Sequence, residues 1–119
     1  MDNKTTLGFL KQVDFLKSLP GLDSLSANCK ERFLPKEEFL FKEGQTGDAM
    51  YIITSGNLEV FKENRVIAHR TTGEYLGEMA LLGNKRRSAS VKATTDVKAI
   101  EIHEKYFLEF LSINPKHFL

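Results

Sequence analysis

Gly77-Glu78-Met79-Ala80-Leu81-Leu82-Gly83-Asn84-Lys85-Arg86-Arg87-Ser88-Ala89 lies between two strand-like patterns. A glycine that admits close backbone approach precedes an acid, and a short turn of good helix formers follows. A polar loop then leads to an arginine, a serine and an alanine, where alternation resumes. The stretch offers one carboxylate to accept hydrogen bonds from hydroxyls and one guanidinium to grip an oxyanion. The first N–H groups of a turn opening at Glu78 lack partners inside it and add to the anion-attracting side. A ligand with a sugar hydroxyl at one end and a single phosphate at the other satisfies both groups.

Moving toward the N-terminus, short apolar runs at Phe39–Phe41, Met50–Thr54, Leu58–Phe61 and Val66–Ala68 predict strands. Turn signals separate them: Glu43-Gly44, Thr46-Gly47-Asp48, Ser55-Gly56-Asn57, Glu63-Asn64 and Thr72-Gly73. Gly44, Gly47, Gly56 and Gly73 are expected as turn residues with positive φ. On the other side, strands are expected at Ser88–Ala93 and Val97–Ile102, joined by Thr94-Thr95-Asp96. Strands so closely and regularly spaced point to an antiparallel β-roll of the jelly-roll or double-stranded β-helix kind, not a parallel α/β sheet.

Helical spacing returns at both ends. Leu7, Leu10, Val13, Phe15 and Leu16 predict a short amphipathic helix ending before Pro20-Gly21. Asp23 or Ser24 could cap a second helix that carries Leu25 and Cys29 and runs to about Glu31. Phe107, Leu108, Phe110 and Leu111 give Glu104–Ile113 an apolar face, and Asn114-Pro115 should break that helix. The expected organisation is one mainly β domain over 1–119. It has a helical segment at about 6–31, a roll at about 32–103 and a C-terminal helix at about 104–113.

Composition narrows the function classes. The 119 residues are 41% hydrophobic and 28% charged, as in globular proteins. A net charge of +1 makes no electrostatic case for nucleic acid. One cysteine, Cys29, excludes an internal disulfide and fits a reducing, cytoplasmic setting. It reads as a small apolar side chain rather than a reactive thiol. No run approaches membrane-spanning length. His69, His103 and His117 are scattered singles without carboxylates at ligand spacing, and no nucleophile–base pair stands out. Neither a metal site nor an enzyme is expected.

Gly77-Glu78-Met79-Ala80-Leu81-Leu82 followed by Arg87-Ser88-Ala89 resembles the phosphate-binding cassette of cyclic nucleotide-binding domains. That family includes regulatory subunits of cyclic AMP-dependent kinase, cyclic nucleotide-gated channels and catabolite activator proteins. Phe41-Lys42-Glu43-Gly44, Gly47-Asp48-Ala49-Met50-Tyr51-Ile52-Ile53 and Ser55-Gly56 resemble the family's early strands in the same order. The resemblance extends from about Phe15 to the C-terminus. It implies a sensor of a 3′,5′-cyclic nucleotide, with cAMP favoured over cGMP because Ser88 stands where threonine accompanies cGMP preference. Arg87 would pair with the cyclic phosphate and Glu78 would accept from the ribose 2′-hydroxyl.

The implied contacting set is Leu76, Gly77, Glu78, Met79, Ala80, Arg87, Ser88 and Ala89. The side chains of Met79, Leu81 and Leu82 are expected to pack on the roll. Leu76 replaces the family's usual phenylalanine, and Arg86 replaces a frequent proline, which should loosen the loop and add positive charge. The family also places a lid helix after the one at Glu104–Ile113. The sequence ends at Leu119, so the lid is expected to be missing, supplied by another chain or part of a longer protein. Without it, affinity and cAMP/cGMP discrimination should be weaker. An effector must receive the signal, and a homodimer is left open. The competing reading is a degenerate fold serving only as a protein–protein scaffold.

Overall fold

The computed structural model describes residues 1–113; the expected break at Asn114-Pro115 and His117 lie outside the described residues. Among the described residues eight strands form two four-stranded antiparallel sheets. In chain order they are β1 (Lys30–Leu34), β2 (Phe39–Phe41), β3 (Ala49–Ser55), β4 (Asn57–Lys62), β5 (Arg65–Thr71), β6 (Tyr75–Leu76), β7 (Ser90–Ala93) and β8 (Val97–His103). One sheet runs β1-β8-β3-β6 and the other β2-β7-β4-β5. The chain therefore crosses from one sheet to the other at every connection except β4–β5. Gly56 makes the β3–β4 crossing at φ 105°, where any Cβ would collide with the Asp96 carbonyl and press on Val97. Glu63 and Asn64 both take positive φ between the paired ends Lys62 and Arg65, the geometry a two-residue hairpin needs.

Strand β3 explains why its sequence reads as continuous apolar residues. Met50 and Ile52 face helices, while Tyr51 and Ile53 face the opposing sheet, and all four are buried. The helical side packs Leu10, Val13, Leu16 and Leu25 with Phe107 and Phe110 against Ile100 and Ile102. The space between the sheets is filled by Leu34, Ile53, Leu58, Val91, Ala93 and Val97. Burying such side chains contributes roughly 1.5–3 kcal/mol each.

The ends depart from the sequence expectation. Helix α1 covers only Asn3–Leu10, with the Asp2 carboxylate accepting from the Thr5 N–H at 2.7 Å. Val13 and Leu16 are buried in successive turns closed by Val13 N–H to Leu10 and Leu16 N–H to Val13. Apolar residues three apart serve such tight turns as well as an α-helix. Helix α2 is Leu22–Ser26, preceded by Gly21 in the left-handed region without a side-chain cap, so neither Asp23 nor Ser24 caps it. Beyond it Lys30–Leu34 is strand β1 rather than helix, an edge strand that buries only Leu34. Cys29 Sγ donates to the Leu25 carbonyl at 3.4 Å, and burial pushes its pKa up to about 12. Helix α3 covers Glu104–Ile113, as the pattern predicts.

Candidate functional site

Arg87 is the organising side chain. It is only 7% exposed although it is a cation. Its Nη2 donates to the Ala49 carbonyl at 2.8 Å and its Nη1 to the Gly77 carbonyl at 3.3 Å. Its Cζ lies 4.1 Å from the centroid of the Phe41 ring, a cation–π stack. Burial pulls its pKa down, opposed by Tyr51, Asp48 and Glu78; a guanidinium remains charged under any physiological condition. Its Nε is buried with no hydrogen-bond partner among the described residues, a donor that costs free energy until something accepts from it.

Two glycines form its cradle. Gly77 has φ 78°, and a Cβ there would sit 2.6 Å from Arg87 Nη1 and 3.1 Å from the Ala49 carbonyl oxygen. Gly47 corrects the sequence expectation. Unlike Gly44, Gly56 and Gly73 it has no positive φ, and its role is space, since a Cβ there would overlap the guanidinium itself. The loop is not loosened at Arg86 either. Gly47 N–H donates to Lys85 O and Arg87 N–H to Gln45 O, both at 2.7 Å, and Gly44 N–H donates to Arg87 O at 2.8 Å.

Glu78 opens a three-residue 3₁₀ helix, Glu78–Ala80. Its carboxylate has no hydrogen-bond or ion-pair partner among the described residues. The tight turn also decides its apolar residues. Ala80 and Leu81 are buried, but Met79 and Leu82, three apart and so on one face, are exposed rather than packed on the roll.

A cavity of about 200 Å³ is lined by all eight residues of the expected set: Leu76, Gly77, Glu78, Met79, Ala80, Arg87, Ser88 and Ala89. Its floor takes one residue from each strand of the second sheet: Phe41, Val91, Val60 and Arg70. Tyr75, Asn84 and Arg86 complete it. Of these only Arg86 is noticeable in the sequence without the fold. The expected strand stopped at Ala68, two residues short of Arg70, which shares its face in β5. The histidines go elsewhere: His69 Nε2 lies 3.5 Å from Glu59 and His103 Nε2 lies 3.0 Å from Asp48. Among the described residues no three metal-ligating side chains cluster, and no helix is long and apolar enough to cross a membrane.

A buried guanidinium and an unpartnered carboxylate thus face one cavity in a β-roll. Residues 31–114 match the family model for the cyclic nucleotide-binding domain, and the chain belongs to that family. It is 36% identical over 107 residues to the cAMP-dependent protein kinase regulatory subunit of Emericella nidulans, a match covering 87% of this chain and 26% of that protein. It is 33% identical over 91 residues to the cGMP-dependent protein kinase egl-4 of Caenorhabditis elegans, covering 75% of this chain and 12% of the kinase. The chain thus spans a minor part of these relatives, and the matched segments are regulatory cyclic nucleotide-binding domains, not catalytic ones. Its structure is similar to the regulatory domain of Toxoplasma gondii PKA crystallised with cAMP. There the TM-score is 0.85 at 26% identity, over 91% of this chain and 44% of the other. A cyclic nucleotide-binding-like protein from Brucella abortus matches with a TM-score of 0.83 at 28% identity, over 91% and 98% of the two chains.

Proposed function

We propose that the cavity binds a 3′,5′-cyclic nucleotide, with cAMP as the favoured ligand, and that this domain acts as a regulatory sensor. The observation that carries the reading is Arg87, buried in a glycine cradle with one donor unused, beside the unpartnered Glu78. In this reading Arg87 binds the cyclic phosphate. At a contact of ~4 Å and an effective dielectric of ~20 the Coulomb attraction is roughly 4 kcal/mol before desolvation. Glu78 accepts from the ribose 2′-hydroxyl, and the small residues Gly77, Ala80, Ser88 and Ala89 let the ligand approach the backbone. Leu76 and Met79 contribute wall rather than polar contacts. The names of the fungal kinase relatives and the cAMP-bound protozoan structure support the choice of cAMP. A scaffold that has abandoned its ligand has no reason to keep an acid and an arginine in one cavity.

The response is proposed to travel to α3. Lys85 Nζ, two residues before Arg87, lies 2.7 Å from Glu104 Oε1 at the start of α3. Asp48, next to Gly47, pairs with His103 and accepts the Glu104 N–H at 2.7 Å through its carbonyl. Both walls of the cradle are therefore tied to one helix end, so an equilibrium of α3 can be biased by occupancy. The effector in turn would be a protein contacting the terminal helices.

Calorimetric titration with cAMP, cGMP and 5′-AMP tests the binding. Saturable binding of a cyclic nucleotide, with 5′-AMP much weaker, is expected. Absence of heat and of any thermal shift at millimolar ligand would remove the proposal. Amide exchange of α3 with and without ligand tests the transmission, and unchanged protection would remove that part alone.

A further inference from the structure

Ser88 is exposed, and its hydroxyl has no hydrogen-bond partner among the described residues. Ser90, two residues on, is half-buried, and its Oγ accepts the Glu43 N–H at 2.8 Å. Lys85, Arg86 and Arg87 come immediately before Ser88. Arg87 is committed to its cradle, but Lys85 and Arg86 are exposed. Lys85 has only its contact with Glu104 to release, a weak tie at an exposed position. The backbone of these residues already runs extended beside Gln45 and Gly47, and an extended segment is what a peptide-binding cleft takes. A free serine behind exposed basic residues suits an enzyme cleft lined with acids.

Ser88 also stands where two hollows meet. On one side is the cavity that holds Arg87 and Glu78, and on the other a depression lined by Lys62, Arg86 and Glu43. Neither Lys62 nor Arg86 pairs with a carboxylate among the described residues. The Glu43 carboxylate accepts the Glu63 N–H at 3.2 Å. Two free cations against one engaged acid leave the depression positive. A phosphate on Ser88 carries about −1.5 to −2 charges at neutral pH and three acceptor oxygens. Arg86 and Lys62 suit those oxygens, while Glu78, which lines only the cavity, repels them from the other side. The phosphate thereby draws Arg86, which lines both hollows, away from the cavity and sets a dianion at its rim.

We infer that Ser88 is a phosphorylation site for a protein kinase that selects basic residues, and that its phosphate antagonises ligand binding. The antagonism rests on the cyclic-nucleotide reading above, whereas the modification does not. In the step, Ser88 Oγ attacks the γ-phosphorus of a nucleoside triphosphate. The Oγ–P bond forms as the bond from phosphorus to the β-phosphate oxygen breaks. The hydroxyl proton passes to the kinase's catalytic base, and the nucleoside diphosphate leaves. Linkage makes the effect reciprocal: a ligand in the cavity covers Ser88, so the occupied protein is the poorer substrate.

The experiment incubates the whole chain and its Ser88→Ala variant with ATP, Mg²⁺ and an arginine-directed serine kinase, with and without saturating cAMP. Mass spectrometry locates the phosphate, and thermal melting confirms folding. Stoichiometric labelling of Ser88 is expected, with none at that position in the variant and labelling at least ~10-fold slower when cAMP is bound. The purified phosphoprotein is then titrated with cAMP and should bind at least ~100-fold more weakly than the parent. No labelling of the folded chain, or labelling of Ser90 in place of Ser88, would overturn the site. Labelled protein that binds cAMP as well as the parent would overturn the antagonism. If the parent bound no cyclic nucleotide, the site reading and the antagonism would fail together, and labelling of Ser88 would still decide the modification.

Discussion

The two arginines of the cavity are held in opposite ways. Arg87 has two carbonyls, an aromatic ring and two glycines arranged around it before any ligand arrives. Arg70 stands on an edge strand with one bond to its own neighbour. A side chain that is already ordered loses little freedom on binding, so its interaction appears almost fully as affinity. A mobile one gives up part of its gain in ordering. On the proposed reading the fixed end of the cavity would carry most of the phosphate affinity, and the loose end less of it.

Removing the fixed end should have the largest effect. Arg87→Ala is expected to cost at least 100-fold in cyclic nucleotide affinity, about 3 kcal/mol or more. Arg87→Lys should recover only part of it, since the charge remains and the fork does not. The structure adds a cost that the sequence did not suggest. The Ala49 and Gly77 carbonyls lose their donors, so Arg87→Ala should also lower stability by about 1–3 kcal/mol, read from urea denaturation. Undiminished affinity in a folded Arg87→Ala protein would end the comparison, because the ligand would then be held elsewhere.

Gly47→Ala breaks the contrast without touching either arginine. Its Cβ occupies the space of the guanidinium, so Arg87 must leave its cradle and become a loosely held cation like Arg70. Affinity should drop about 10- to 100-fold, in line with the cost of misplacing a charged hydrogen-bond donor. The double variant with Arg87→Ala should be little worse than Arg87→Ala alone. Additive losses would mean that Gly47 acts on something other than Arg87.

Glu78 sharpens the fixed end. Glu78→Gln keeps an acceptor but removes its charge, so a ribose ligand should lose about 1 kcal/mol, roughly tenfold at most. A 2′-deoxy ligand should bind parent and variant alike. Equal losses for both ligands would show that Glu78 acts on the phosphate end rather than on the hydroxyl.

How much of this was legible depended on whether a residue's role was local. The glycine–acid–turn–arginine order announced itself because each step is written in adjacent residues, and β3 to β5 were marked by turn signals on both sides. Strand β1 was not, because Lys30-Glu31-Arg32-Phe33-Leu34 is a charged edge strand that buries one side chain. Strand β6 was missed because two residues carry no period. Gly47 was read as a turn glycine because its true constraint comes from a side chain forty residues on. Phe41, Val60 and Arg70 became site residues only once sheet order put their strands side by side. Met79 and Leu82 were expected to pack on the roll, but the 3₁₀ turn sets them three apart on its exposed face.

The smallest expected effect tests whether the fixed end is also the transmitting end. Lys85 and Glu104 are close, but Lys85 is largely in solvent, and exposed pairs of this kind contribute little to stability. Glu104 raises the Lys85 pKa, so the pair's contribution is present below the ordinary lysine pKa and fades only as pH rises through the elevated one. Around neutrality Lys85 is charged, and salt, not pH, is the lever that weakens the contact. Lys85→Ala should therefore change cyclic nucleotide affinity by less than about fivefold and leave the melting curve nearly unmoved. It should nevertheless reduce the ligand-dependent change in amide protection at the start of α3, because the loop that carries Arg87 would no longer pull on Glu104. If that protection change survived in full, the Asp48 contacts alone would couple the site to the helix, and the difference between the two arginines would lie in binding only.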